Sequence, residues 1–460
     1  MSHSPADRPH SREREASLFG HPPGLTFLFG TEMWERFSYY GMRSLLVLYM
    51  VGDLLRPDKA RDVIGLNALR GGLESLFGRL SDQAFASEIY GFYTGFAYLT
   101  PILGGILADR FIGRTPTVLL GASLMVAGHF MMAWDRMFLV ALIVLVLGVG
   151  IFKPNVTTQV GELYGPGDHR VDRAYSIFYV GINIGAFFAP LICGYLGERI
   201  DWHYGFISAG VGMTIGMVTY LAGTSWLPKA PPVQKAAPDE ASRSQRKASF
   251  ASLFILFIPS ALWWAAYEQQ GNTIAIWIRQ AVDREVNLLF WKGTIPVTWF
   301  QSFNPILIFL ITPVLVALWS LFAKKGREPS TIAKLTTGCL ILSLAYILLA
   351  ALSWAGAQPV NWLWLLIFFA IVTVAELYFS PIGISLMSSI APSGSRSSLM
   401  AIWFTSIFAG NFLAGYLGGL WEKFSQPAFF LIVASLGATA ALFTLAVRPL
   451  LAHTLSVQQK

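Results

Sequence analysis

The feature that most limits what this chain can become is a succession of long apolar stretches running almost from end to end. Crossing a bilayer as a helix takes about 20 consecutive, mostly apolar residues. Twelve stretches meet that need, at 24–51, 84–108, 115–134, 138–160, 173–197, 205–228, 252–281, 301–323, 332–355, 361–391, 397–421 and 428–450. Backbone in hydrocarbon must satisfy its hydrogen bonds internally, so stretches of this length are expected to be helices. Composition agrees: 54% of the 460 residues are hydrophobic and 13% are charged, whereas soluble domains carry about 25% charge. This excludes a soluble enzyme, a nucleic-acid-binding module and a disulfide-framed secreted domain. The expected class is an all-α integral membrane protein.

Outside a segment at 52–83, the widest break between spans is 229–250, rich in Pro, Ala, Ser and basic residues. It reads as a flexible linker. The expected organisation is a tail over 1–23, a six-helix bundle over 24–228, the linker over 229–250, a second six-helix bundle over 251–451 and a tail over 452–460. The first residues lack the ordered regions of a signal peptide, so the first span is expected to insert by itself. The net charge of +7 fits cytoplasmic loops that collect Lys and Arg better than it fits a nucleic-acid partner. The side holding both tails and the linker carries the larger share, including Arg110, Arg114, Arg170, Arg173, Lys324, Lys325 and Arg327. That side is expected to be cytoplasmic, in the plasma (inner) membrane. Cys193 and Cys339 lie in apolar stretches and imply no disulfide.

Seven ionisable residues fall well inside spans: Glu32, Glu35, Arg36, Arg43, Lys153, Glu268 and Glu376. Each costs at least ~2.5–3.5 kcal/mol at the bilayer centre on insertion scales, so each must face protein or water and find a partner. Structural ion pairing is the plain explanation, yet seven such groups in spans 1, 4, 7 and 10 exceed what packing requires. In span 1, Glu32, Glu35 and Arg36 share a helix face at i, i+3 and i+4, and Tyr39, Tyr40 and Arg43 continue it. Two carboxylates beside one fixed guanidinium are not both neutralised, so one is expected to take up a proton near neutral pH.

In span 4, Pro154 follows Lys153 and interrupts the helical hydrogen-bond ladder. Asn155 either caps that kink or serves the site. Gly181 and Gly185 in span 5 suit close helix packing, with Asn183 between them. Proline beside polar groups in spans 4, 8 (Asn304-Pro305) and 10 (Ser380-Pro381) suggests broken or bent helices around a midplane site.

Two groups of motifs carry a family resemblance. Gly105, Asp109, Arg110, Gly113 and Arg114 resemble the loop signature of the major facilitator superfamily, whose expected task is to lock helix ends at the cytoplasmic face. The run from Glu32 to Gly41, Glu-Met-Trp-Glu-Arg-Phe-Ser-Tyr-Tyr-Gly, resembles the first signature of the proton-dependent oligopeptide transporters. Phe178 to Gly185 is similar to their second. Lys153-Pro154-Asn155, Glu268-Gln269, Asn304-Pro305 and Glu376 with Ser380-Pro381 fall in the matching helices, and the likeness spans about 24–450.

The resemblance implies a major facilitator fold of twelve transmembrane helices in two bundles, and a symporter of protons with di- and tripeptides that needs no cofactor beyond the proton. Proton coupling would rest on Glu32, Glu35, Arg36 and Glu268. Arg43, Tyr39, Tyr40, Tyr98, Lys153, Asn183, Asn304, Glu376, Ser380 and Trp403 would bind substrate. Arg43 with Glu268, and Lys153 with Glu376, would form alternating gate salt bridges. The residues agree with this. A peptide zwitterion needs cations for its carboxylate and an acid for its amine, and Arg43 and Lys153 lie in one half while Glu376 lies in the other. A monomer suffices for such a cycle.

The chain departs from the family in two ways. The 229–250 linker is too short for the two extra helices of many bacterial members, and Gly91 stands where animal members carry a histidine. Plant relatives that move nitrate lack the intact Glu-x-x-Glu-Arg cluster. The competing reading is a proton-coupled antiporter or exporter of amphipathic compounds on the same fold. A receptor without a transport cycle would not need titratable groups in spans 1 and 7. Neither a metal-ligand histidine spacing nor a phosphate-binding Gly-rich loop is present to suggest an enzyme.

Overall fold

The computed structural model describes residues 20–165, 167–228, 256–288, 291–354, 359–390 and 396–449. The linker expected over 229–250, and the parts of the tails before 20 and after 449, lie outside the described residues. The long helices are α1 (Pro23–Tyr49), α2 (Asp82–Leu99, continued by Pro101–Leu107), α3 (Arg114–Met131), α4 (Phe138–Glu162), α5 (Val171–Arg199) and α6 (Trp202–Gly223). They continue with α7 (256–267, resumed as Thr273–Ala281), α8 (Phe303–Lys324), α9 (Thr331–Trp354), α10 (Leu363–Ile390), α11 (Arg396–Gly418) and α12 (Gln426–Ala446). Among the described residues, eight helices are long and apolar enough to cross a membrane. α1 is not one of them, because Glu32, Glu35, Arg36 and Arg43 lower its apolar content.

α1 packs against α5 and α6, and α3 against α4 and α6. In the second half α9 packs against α10 and α12, and α8 against α10. The halves meet along α2 with α11, α5 with α8, and α1 with the second piece of α7. Close approach of backbones makes these seams. At Gly185 an added methyl would collide with the Met33 carbonyl of α1, so the Gly181/Gly185 pair serves helix packing.

At Gly91 an added methyl would lie 2.7 Å from the Asn411 carbonyl oxygen and 2.8 Å from Gly415 Cα, both backbone atoms of α11. Gly91→Val is therefore expected to force this seam apart, at a cost of about 1–3 kcal/mol. Thermal unfolding checks it. Gly105→Ala, which meets nothing within 4 Å, should leave the melting temperature unchanged, and an equal effect of both substitutions would remove the argument.

The sequence suggested broken or bent helices at the prolines of spans 4, 8 and 10; Pro305 lies in the first turn of α8, which leaves the prolines of α4 and α10 inside helices. Both helices run through Pro154 and Pro381 without interruption. The carbonyl that Pro154 cannot bond, that of Gly150, packs directly against Gly104, and Asn155 Nδ2 donates to the carbonyls of Ile151 (2.8 Å) and Gly104 (3.1 Å). Asn155 thus stabilises the proline site.

α7 does break: Glu268–Gly271 form one 3-10 turn. Side chains take over for the interrupted ladder. Gln269 Nε2 donates to the carbonyls of Ala265 (3.2 Å) and, across α11, Ala414 (3.0 Å). The Tyr346 hydroxyl donates to Ala266 O (2.6 Å), and Gln270 Nε2 to Tyr267 O (3.0 Å). This turn presents Glu268 to the interior.

The charged segment after α1 is ordered as helices Pro57–Ala60 and Leu66–Phe77. It is tied down by Lys59 to Asp53 (2.6 Å) and Asp135 (3.1 Å), and by Arg70 to Asp82 (2.5 Å). On the same face of the second half, β1 (Val282–Asp283) pairs in parallel with β4 (Val360–Asn361), and β2 (Glu285–Leu288) pairs antiparallel with β3 (Trp291–Thr294).

Candidate functional site

A cavity of about 520 Å³ lies between the two halves. From the first half Glu32, Arg36, Tyr40, Arg43, Tyr98, Lys153 and Asn183 reach it; from the second, Glu268, Asn304, Glu376, Ser380 and Trp403 do. Of the residues expected at the site, Glu35 and Tyr39 do not line it. Tyr39 is buried behind the wall, edge-on to Tyr40 and stacked on Tyr93. Adjacent helical residues point about 100° apart, so Tyr40 faces the cavity and Tyr39 does not.

Glu32, Glu35 and Arg36 form a buried cluster in the cavity wall, each at most 4% exposed. Arg36 Nε lies 3.1 Å from Glu32 Oε1 and also pairs with Glu35. Glu32 Oε2, both Glu35 carboxylate oxygens, and Nε and one terminal nitrogen of Arg36 are buried without a well-aligned hydrogen bond among the described residues, so charge attraction more than directed bonding holds the cluster. Lys153 stands within electrostatic range of all three, with its ammonium 4.8 Å over the Tyr98 ring. The four groups, two acids and two bases, balance when all are ionised.

Arg43 closes one end of the cavity. It pairs with Glu268 across the halves, and its Nε donates to Tyr90 Oη (2.9 Å), whose hydroxyl donates in turn to Glu268 (3.3 Å). Further hydrogen bonds between the halves gather at this end. Gln83 Nε2 donates to Gly418 O (3.0 Å), Ser87 Oγ to Asn272 Oδ1 (2.8 Å), and Ser302 Oγ to Phe187 O (2.8 Å).

At the other end no ion pair joins Lys153 to Glu376 among the described residues. Glu376 instead accepts from Tyr267 Oη (2.8 Å) and Asn304 Nδ2 (2.7 Å). Tyr179, on the cavity wall, is 47% exposed. Among the described residues the cavity is sealed at the Arg43 end and open at the Lys153 end. Beside the open end, Arg114 pairs with Glu162 of α4 and lies 3.4 Å from Asp109, so the signature loop clamps α2, α3 and α4 within the first half.

Sequence reasoning did not single out Tyr90, Tyr179, Tyr267, Gln270 or Gln301, which line this site or bond to its charged groups. Their partners lie far away along the chain, and only a burial pattern for helices 2, 5 and 7 and the turn leading into helix 8 could have pointed to them.

Residues 115–245 and 240–432 match the PTR2 model of the POT family, and the chain belongs to that family. It is similar to the peptide transporter YePEPT of Yersinia enterocolitica, at 32% identity over 88% of this chain and 88% of that protein. It is also similar to a di-/tripeptide transporter of Lactococcus lactis, at 29% identity over 94% and 96%. Among solved structures it resembles the peptide transporter POT in complex with sulfate, with a TM-score of 0.81 and 29% identity over 96% and 97% of the two chains. A mutant of that transporter in complex with alafosfalin gives the same score and identity. The architecture is the major facilitator superfamily fold.

Proposed function

We propose that this protein is a proton-coupled symporter that imports di- and tripeptides by alternating access. The observation that carries the reading is the placement of charge around one cavity: Lys153 and Arg36 on the first half, Glu376 on the second. A peptide zwitterion spanning them directs its carboxylate to Lys153 and its amine to Glu376, and so binds both halves at once. Between these ends, Tyr40, Tyr98, Trp403 and the Asn183 and Asn304 amides offer surfaces that accept varied side chains. The named substrates of the relatives, peptides and di-/tripeptides, support the same class.

Coupling follows from the charge count. Glu32, Glu35, Arg36 and Lys153 are balanced when the cavity is empty. A substrate carboxylate drawn to Lys153 adds a negative charge, and a proton on one of the two acids restores the balance. Proton and peptide therefore favour each other's binding. Glu268 is the second proton site. Its protonation frees Arg43 and lets the sealed end open, since an uncharged acid holds a guanidinium far more weakly than a carboxylate does.

The excess of Lys and Arg at the open end supports a cytoplasmic position for that end; in this reading both termini are inside and the membrane is the plasma membrane. The conformation described is then inward-facing. When that side closes, Lys153 and Glu376 pair. The proton serves as coupling ion, and one chain suffices.

The test is uptake of labelled dialanine into liposomes holding the purified protein, under an inward proton gradient. Accumulation above the external concentration, competed by other dipeptides, is expected. Uptake that ignores both gradient and competitors would sink the reading.

A further inference from the structure

A second polar cavity, of about 320 Å³, lies at the sealed end, where α5, the second piece of α7 and the β2–β3 hairpin meet. Three guanidinium groups line it: Arg199 at the end of α5, Arg279 on α7 and Arg284 on the turn into the hairpin. Among the described residues, its one acid is Glu198. That carboxylate is already engaged: Oε2 accepts from Val297 N (2.8 Å), and Oε1 from Thr298 N (2.8 Å) and Thr298 Oγ1 (2.7 Å).

Among the described residues these arginines donate only to neutral acceptors. Arg199 donates to the Thr294 carbonyl and Arg284 to that of Ile295 (2.6 Å). Arg279 makes no hydrogen bond or ion pair among the described residues, and its guanidinium lies over Gly52 of the first half. Three cations against one acid leave an excess of two positive charges. Burial pushes the Arg284 pKa down; Glu198 opposes this, and the smaller repulsions of Arg199 and Arg279 add to it, so the three cations sense one another. They also stand on the face that the distribution of Lys and Arg otherwise leaves poor in basic residues.

We propose that this cavity binds an oxyanion, a phosphate, sulfate or carboxylate group, which bridges Arg199 of the first half to Arg279 and Arg284 of the second and stabilises the closed state of that face. Closing the face brings like charges together across the seam, which costs energy unless an anion sits between them. Guanidinium forks grip such groups through paired, charge-assisted hydrogen bonds. The site is distinct from the central cavity, which Lys153 and Arg43 serve. Its assignment to the external face rests on the transport reading above; the anion site itself does not.

The test combines two measurements on the full protein in phosphatidylcholine nanodiscs, at constant ionic strength. Saturating sodium sulfate is expected to raise the melting temperature by at least about 2 °C. Spin labels at Trp134→Cys and Trp354→Cys, exposed positions on that face in different halves, should shift towards the shorter distance. The native Cys193 and Cys339 are buried and do not compete for label.

Both responses should persist in Lys153→Ala, which weakens anion binding in the central cavity, and vanish in Arg284→Gln and in the surface variant Arg279→Gln. The arginine variants should also populate the short distance without sulfate, because removing a cation relieves the same repulsion. A response to sulfate assigns the site to a free anion. A response only when phosphatidylglycerol is added assigns it to a lipid phosphate. Loss of the sulfate response in Lys153→Ala with retention in Arg279→Gln and Arg284→Gln, or no response to either sulfate or phosphatidylglycerol, overturns the proposal. Failure of dialanine uptake with an intact sulfate response would instead sink the transport reading alone.

Discussion

Glu35→Gln is expected to abolish gradient-driven accumulation of dialanine and to leave counterflow exchange measurable. Glutamine copies the shape of the protonated acid and fixes its charge at zero. The cluster then consists of Glu32, Arg36 and Lys153, one acid against two bases when all three are ionised. Arg36 keeps its contact with Glu32 at 3.1 Å, so the fold of α1 retains an ion pair. The cavity holds a standing positive charge that attracts the peptide carboxylate without needing a proton.

For one proton per peptide, each pH unit of gradient supports about tenfold accumulation. With coupling lost, the ratio of internal to external peptide falls to about one. Binding gives a second readout. Peptide affinity of the unaltered protein should rise as pH falls, because protonation uncovers the same positive charge. In Glu35→Gln it should be independent of pH, near the low-pH value. Equal loss of accumulation and counterflow would mean that Glu35 only supports the helix, since a structural defect does not spare exchange.

The parts of this machinery differ in how far the sequence revealed them, for physical reasons. The span pattern is local: apolar runs of bilayer length leave a helix as their one solution. The Glu32–Glu35–Arg36 face is local too, since helical periodicity alone brings the three together. The choice between Tyr39 and Tyr40 as cavity residue was not legible, because it depends on the rotation of α1 against α5 and α6.

The break in α7 was not legible either, and prolines misdirected the expectation. A proline in a membrane helix is absorbed when neighbours occupy the freed carbonyl, as Gly104 does opposite Gly150. α7 runs through Pro259 and breaks further on, at Glu268–Gly271, where side chains such as Gln269 and Tyr346 take its hydrogen bonds. Both outcomes are set by residues distant in sequence. The arginines of the second cavity are similar: Arg199, Arg279 and Arg284 read as scattered loop charges until the fold gathers them.

Glu376→Gln and Lys153→Ala are expected to weaken dialanine binding in complementary ways. Removing one partner of a desolvated charge pair costs roughly 2–5 kcal/mol, at least about 30-fold in affinity. In Glu376→Gln the glutamine oxygen still accepts from Tyr267, which donates at 2.8 Å in the native site, so the loss reports charge more than packing. The assignment of each end of the peptide comes from modified ligands. N-acetyl-dialanine lacks the amine charge and dialanine amide lacks the carboxylate. The unaltered protein should prefer dialanine to both in competition counterflow. Glu376→Gln should cease to distinguish dialanine from its acetylated form while still discriminating against the amide, because the amide loses only the Lys153 contact. Lys153→Ala should do the reverse. If each variant weakened all three ligands by one common factor, neither residue would hold a peptide terminus, and the zwitterion geometry would have to be abandoned even if transport itself persisted.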